Sequence, residues 1–225
     1  MGYMIIGGIV SLVGWWVSSR LKSKFNKYSK IPISSRLSGA EVAAEMLRHY
    51  GIHDVQITQG KGFLSDHYNP MSKTISLSPA VYQGRSIAAA AVAAHECGHA
   101  VQHDTGYAML RMRSSLVPLV KASSMAQQFL LVAAFMLLGT MPQLMLITVA
   151  AFAITALFSF VTLPVEFDAS NRALAWLDQS SVLRGQENEG AKDALWWAAM
   201  TYVASALSAL VMVLYLLMQY MSTRR

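Results

Sequence analysis

Thirty-nine consecutive residues, Met125 to Leu163, contain no Asp, Glu, Lys or Arg. A helix that crosses the hydrocarbon core of a bilayer needs about 20 apolar residues. The run is therefore long enough for two crossings, and Gly139-Thr140-Met141-Pro142 supplies a turn between them. Two further uncharged runs, Tyr3 to Val17 and Leu195 to Met221, flank it along the chain. The first is the shortest. With 54% hydrophobic and 13% charged residues, the composition is too apolar for an ordinary soluble domain. These runs predict an α-helical membrane protein with about four transmembrane helices.

The cations set an expected topology. Thirteen of the 18 Lys and Arg residues lie between Arg20 and Lys121, and Arg172, Arg184 and Lys192 lie before the last run. Only Arg224 and Arg225 fall on the other side. By the positive-inside rule both larger loops face the cytoplasm. The basic residues follow the first apolar run and do not precede it, which suits an uncleaved anchor better than a signal peptide. Trp15, Trp16, Trp196 and Trp197 are then expected at one interface. The cluster Arg20, Lys22, Lys24, Lys27 and Lys30 fits anionic lipid headgroups, and no nucleic-acid motif accompanies the net charge of +6. Cys97 is the single cysteine, so no intrachain disulfide can form.

Residues 95 to 99 read His95-Glu96-Cys97-Gly98-His99, a complete H-E-x-x-H. On a helix, positions i and i+4 share one face, so both imidazoles can bind one Zn²⁺. Glu96 lies beside such an ion, placed as a general base for hydrolysis. Ser86 as N-cap, the alanine-rich stretch from Ile87 to Ala94, and Gly106 as terminator predict the helix that the motif needs. The competing view is that these are ordinary polar residues of an amphipathic helix.

Residues 31 to about 112 can form a small α+β unit. Ser38 to Glu41 is a capping box, and Val55 to Thr58 and Thr74 to Ser78 read as short strands. Ser78-Pro79 opens a short helix that stops at Gly84. About 80 residues make a marginal core alone, so this unit is expected to rest on the membrane bundle. A catalytic zinc takes three protein ligands. His103 shares the helix face of His95 and His99, but residues 95 and 103 are about 12 Å apart along a straight helix. His49, His53 and His67 have no helical pairing. Glu166 stands just past the uncharged run, where a helix-start carboxylate is the simpler alternative.

Beyond these derivations, Glu166-Phe-Asp-Ala-Ser170 downstream of the motif, with two spans between, resembles the neutral zinc metallopeptidases of bacterial membranes, the YugP-type proteins. Ser65-Asp-His-Tyr-Asn-Pro70, Lys73-Thr-Ile-Ser-Leu-Ser78 and Tyr82 extend the resemblance to nearly the whole chain. A more distant similarity links it to the HtpX and CAAX prenyl protease zincins. The resemblance implies a zincin-like catalytic domain, one zinc per chain and Glu166 as third ligand beside His95 and His99. In the prenyl-protease pattern an Asp four residues after the ligand Glu orients a histidine. Here that position is Ser170, and Asp168 lies about 200° around the helix from Glu166. Arg172, Tyr82 and His67 are candidates for stabilising the oxyanion. Thr74, Ile75, Ser76, Leu77 and Ser78 would be the edge strand that pairs with substrate.

The expected organisation is an anchor over 1–20, a catalytic unit over 31–112, a membrane hairpin over 123–163, a cytoplasmic helix over 164–193 and a last span over 194–221. The expected activity is that of a zinc endopeptidase acting on membrane-associated or unfolded polypeptides near the cytoplasmic surface. Its partners would be a peptide or membrane-protein substrate and the lipid bilayer, with a membrane-protein adaptor or homo-oligomer compatible. A zinc-bound scaffold or chaperone that does not cleave is one alternative. A transporter subunit is another, disfavoured because its spans carry no ionisable residue.

Overall fold

The computed structural model describes residues 2–222, so Arg224 and Arg225 lie outside the described residues. The chain runs α1 (Gly2–Tyr28), α2 (Gly39–His49), β1 (Gln56–Gln59), β2 (His67–Asn69), β3 (Thr74–Leu77) and α3 (Pro79–Tyr82). It continues through α4 (Ile87–Asp104), α5 (Ala108–Met136), α6 (Gln143–Gln179) and α7 (Gln186–Ser222).

Local chemistry sets most boundaries. Ser38 and Glu41 form a reciprocal capping box at α2. The Ser86 hydroxyl accepts from the Ala89 amide at the start of α4. Past the end of α4, Gly106 takes φ +65°, a conformation that glycine adopts without Cβ strain. The turn between α5 and α6 falls at residues 137–142, where the Gly-Thr-Met-Pro tetrapeptide stands.

Among the described residues, three helices are long and apolar enough to cross a membrane: α5, α6 and α7. That is one fewer than the sequence suggests. In α1 the apolar stretch is short, it carries three glycines, and charges begin at Arg20. It nevertheless packs along α7, with Trp16 and Trp197 edge to face at 5.6 Å. Lys24 and Tyr28 both reach the Asp193 carboxylate, each at 2.6 Å. α6 passes through Pro164 without a break, so the third span and the helix bearing Glu166 are one element. The boundaries drawn at 112, 163 and 193 therefore fall inside continuous helices.

The sheet corrects one expectation. Its order is β1-β3-β2, with β1 parallel and β2 antiparallel to β3. Thr74, Ile75, Ser76 and Leu77 thus form the central strand, with both ladders used, and Ser78 caps α3. They cannot be the edge that receives a substrate. β1 and β2 are the two edges, and β2 is too short and polar to stand out in the sequence. One core joins the sheet, α2 and α4 to the ends of α1, α6 and α7 that lie nearest the sheet, including Phe25, Ile75, Trp176 and Leu195.

Candidate metal centre

α4 is the hub. Fourteen of its 18 residues are buried, and small side chains let neighbours come close. At Gly98 a Cβ would lie 2.5 Å from the Ala169 carbonyl oxygen of α6. This close approach of the two backbones sets the residues on either side of the contact against each other. His95 and His99 project from α4, and Glu166 from α6.

The three side chains converge. Nε2 of His95 is 3.3 Å and Nε2 of His99 is 3.5 Å from Oε2 of Glu166. One ligand atom from each lies within 4.8 Å of the others. Zinc bonds of about 2.0–2.1 Å in a tetrahedron separate neighbouring ligand atoms by about 3.3 Å. The two observed spacings fit that edge. Oε2 of Glu166 is buried and accepts no hydrogen bond, while Oε1 pairs with Arg113 at 3.1 Å. A buried carboxylate oxygen without a donor, faced by two imidazole nitrogens, suits a cation. The donor set therefore fits zinc.

The far side of each imidazole is also held. Nδ1 of His95 is 3.1 Å from the Ser170 hydroxyl, the position where the prenyl-protease pattern has Asp. Nδ1 of His99 is 3.0 Å from Oε1 of Gln102. The Gln102 amide nitrogen donates to the Val165 carbonyl at 2.7 Å and to Asp168 at 2.8 Å. With its NH₂ committed to two acceptors, Gln102 offers only oxygen to His99. His99 must then donate from Nδ1, which leaves the Nε2 lone pair for an ion. Asp168 acts one residue removed, through Gln102, and is itself bound by Arg172 at 2.6 Å.

A cavity of about 220 Å³ opens over these groups. It is walled by Asp66, His67 and Tyr68 at β2, Arg113 of α5 and Tyr202 of α7. Glu96 lines it and is buried. Burial pushes its carboxyl above the ordinary range, and the neighbouring histidines oppose that. Of the three oxyanion candidates, His67 lines the cavity; Arg172 and Tyr82 do not. Arg172 is spent on Asp168 and on the Tyr107 ring at 5.9 Å. His103 is engaged with the Tyr68 hydroxyl at 2.7 Å. Cys97 is buried with its thiol toward the Ala43 carbonyl, and burial raises its pKa well above the usual range. It is a packing residue and not a reactive thiol.

Comparison with known proteins agrees with this geometry. Residues 3–221 match the model of the family described as "Putative neutral zinc metallopeptidase". The chain belongs to this family. It is 39% identical over 212 residues to the "Putative membrane protease YugP" of Bacillus subtilis (strain 168), covering 94% of this chain and 93% of that protein. No solved structure matches the chain.

Gln102, Arg113 and Tyr202 were not picked out from the sequence. Gln102 had a signal, since it lies one turn after His99 on the same helix. Arg113 and Tyr202 had none. Each is one of several polar residues in a long, mostly apolar helix, and only the packing of the bundle brings them to α4.

Proposed function

We propose that the protein is a membrane-anchored zinc endopeptidase that hydrolyses membrane-associated or unfolded polypeptides at the cytoplasmic membrane surface. The observation that carries this is the convergence of two imidazole nitrogens and a donor-less carboxylate oxygen beside the buried Glu96. His95, His99 and Glu166 would hold one zinc. Bound there, zinc supplies Lewis acidity, which acidifies water and polarises a carbonyl. Glu96 takes a proton from the attacking water and returns it to the leaving amine. Arg113 holds the second oxygen of Glu166. Tyr202 offers a phenol O–H from the bundle side of the cavity, and His67 an imidazole from the sheet side, to the developing oxyanion. An extended substrate would add to the free edge of β2, His67 to Asn69.

The test pairs metal with turnover. Purified wild type should carry about one zinc and cleave unfolded casein-like substrates, and Glu166→Ala should lose the metal. Glu96→Gln should keep zinc and lose cleavage by at least about 10²-fold. A Glu96→Gln protein that cleaves at the wild-type rate removes the general base.

The cytoplasmic orientation, with α1 as a fourth crossing, rests on the Lys and Arg bias and on Trp16 and Trp197 lying at one level. In a Cys97→Ala background, cysteines at Ser65 and Gln186 should resist impermeant reagents in intact cells, and one at Thr140 should react. The reverse pattern inverts the protein.

A further inference from the structure

A second cavity, of about 140 Å³, opens on the other side of Glu96. It shares Asp66, His95, Glu96 and Tyr202 with the first but touches neither His99 nor Glu166. The rest of its lining is apolar: Leu21 and Phe25 of α1, Val92 of α4, Ala194, Leu195 and Ala198 of α7, and Leu64 from the loop before β2. Pockets for drug-sized molecules run to about 300–1,000 Å³. A cavity of this size takes one side chain.

We infer that this cavity is a specificity pocket for an aliphatic or aromatic side chain, carried by the residue that supplies the leaving amine. The inference rests on the proposed peptidase function. In hydrolysis, water adds to the carbonyl carbon, the C–N bond breaks, and Glu96 delivers the proton to the departing nitrogen. That nitrogen must therefore lie within hydrogen-bond reach of Glu96. The side chain one bond beyond it meets the cavity that flanks Glu96 on the side away from His99 and Glu166. The first cavity, with its polar walls and the free edge of β2, is left for the backbone and the acyl part. An acidic or basic side chain in the second cavity would be desolvated among seven apolar residues, with Glu96 and Asp66 opposing an anion. The walls come from α1 and α7, so the anchor helix takes part in substrate selection. Phe63, beside Leu64, packs edge to face on Phe25 at 5.4 Å and joins the loop to that wall.

The test digests a random soluble peptide library with the full-length, zinc-loaded protein and sequences the new N-termini by mass spectrometry. Wild type should favour Leu, Ile, Met or Phe there over Ala by at least about 10-fold, and reject Asp and Glu. Ala198→Phe, which fills the pocket, should cut the Leu-to-Ala ratio of kcat/KM by at least about 10-fold. Leu64→Ala, in the loop, enlarges it and should move the preference toward Phe and Trp, so the test survives if Ala198→Phe fails to fold. As a readout without turnover, Glu96→Gln protein should bind leucinamide about 10-fold more tightly than alaninamide, and Ala198→Phe in that background should erase the difference. Cleavage without an apolar preference at the new N-terminus overturns the pocket and leaves the peptidase standing. So does a preference that neither variant moves. A wild type that cleaves nothing overturns the proposed function, and the pocket assignment with it.

Discussion

α4 and α5 follow each other in the chain and obey different rules of burial. In α4, 14 of 18 residues are buried, half of them alanine. In α5, three of 29 are buried, and Met125 and Phe129 are each 76% exposed. The solvent explains the contrast. α4 is buried in a water-soluble core, where apolar surface must be covered by protein. α5 is long and apolar enough to cross a membrane, and lipid tails as apolar as its side chains would leave it in need of few protein neighbours. The site lies where the two regimes meet. The buried half contributes His95, His99 and Glu96, and the long apolar helices contribute Glu166, Arg113 and Tyr202. The sheet and α4 alone would have two of the three proposed ligands and the proposed base, but neither the third ligand nor a donor from the bundle.

This division can be broken from the bundle side. Tyr202→Phe removes one hydroxyl and nothing from α4. If the phenol stabilises the oxyanion, kcat should fall by about 10²–10³-fold. Zinc content should be unchanged, because Tyr202 is not among the converging ligands. A variant with wild-type kcat would leave the electrophilic role to His67 on the sheet side, and the two halves would no longer share the chemistry.

A second substitution acts on the contact between the halves. Gly98→Ala places a Cβ 2.5 Å from a backbone oxygen of α6, which cannot rotate away. α4 and α6 must separate, at about 1–3 kcal/mol, the usual cost of overpacking. Because one helix carries both histidines and the other carries Glu166, zinc affinity should fall with stability. Zinc titration against a chelator, together with thermal unfolding, reads both. Lost stability with unchanged zinc affinity would mean that the ligand cluster does not depend on this contact.

What was legible in the sequence divides along the same line. The helix around H-E-x-x-H, its Ser86 N-cap and the turn at residues 137–142 are local patterns, and they stand where periodicity and composition put them. The convergence of Glu166 on the motif came from a resemblance, since no spacing rule joins residues 99 and 166. Gln102, which commits the tautomer of His99, and Tyr202 depend on packing and could not be read. The sheet order was lost for a related reason. β2 is three residues long, and an alternating β3 looks the same whether it is central or at an edge. In α1 the apolar run stops at a charge boundary, and the helix continues past it to Tyr28.

α1 gives the smallest and last test of the comparison, because it belongs to both regimes. Its upper part exposes Ile9 and Leu12 like a lipid-facing helix. Its lower part is tied to α7 by polar contacts, with Lys24 and Tyr28 both on one oxygen of Asp193. The Lys24 and Asp193 side chains are 27% and 29% exposed, so solvent screens part of the charge interaction. Asp193→Ala should therefore cost only about 1 kcal/mol, below the range for a buried charged pair. For a chain of this size that corresponds to about 2–4 °C in Tm. Zinc content should not change, since Asp193 is not among the residues that line the metal cavity. The loosened part of α1 should instead show as faster proteolysis between residues 29 and 38, the linker that follows it. A variant with unchanged Tm and unchanged cleavage would mean that α1 is held by its apolar contacts alone, as a purely membrane helix would be. A loss several-fold larger would place the lower half of α1 with the aqueous core.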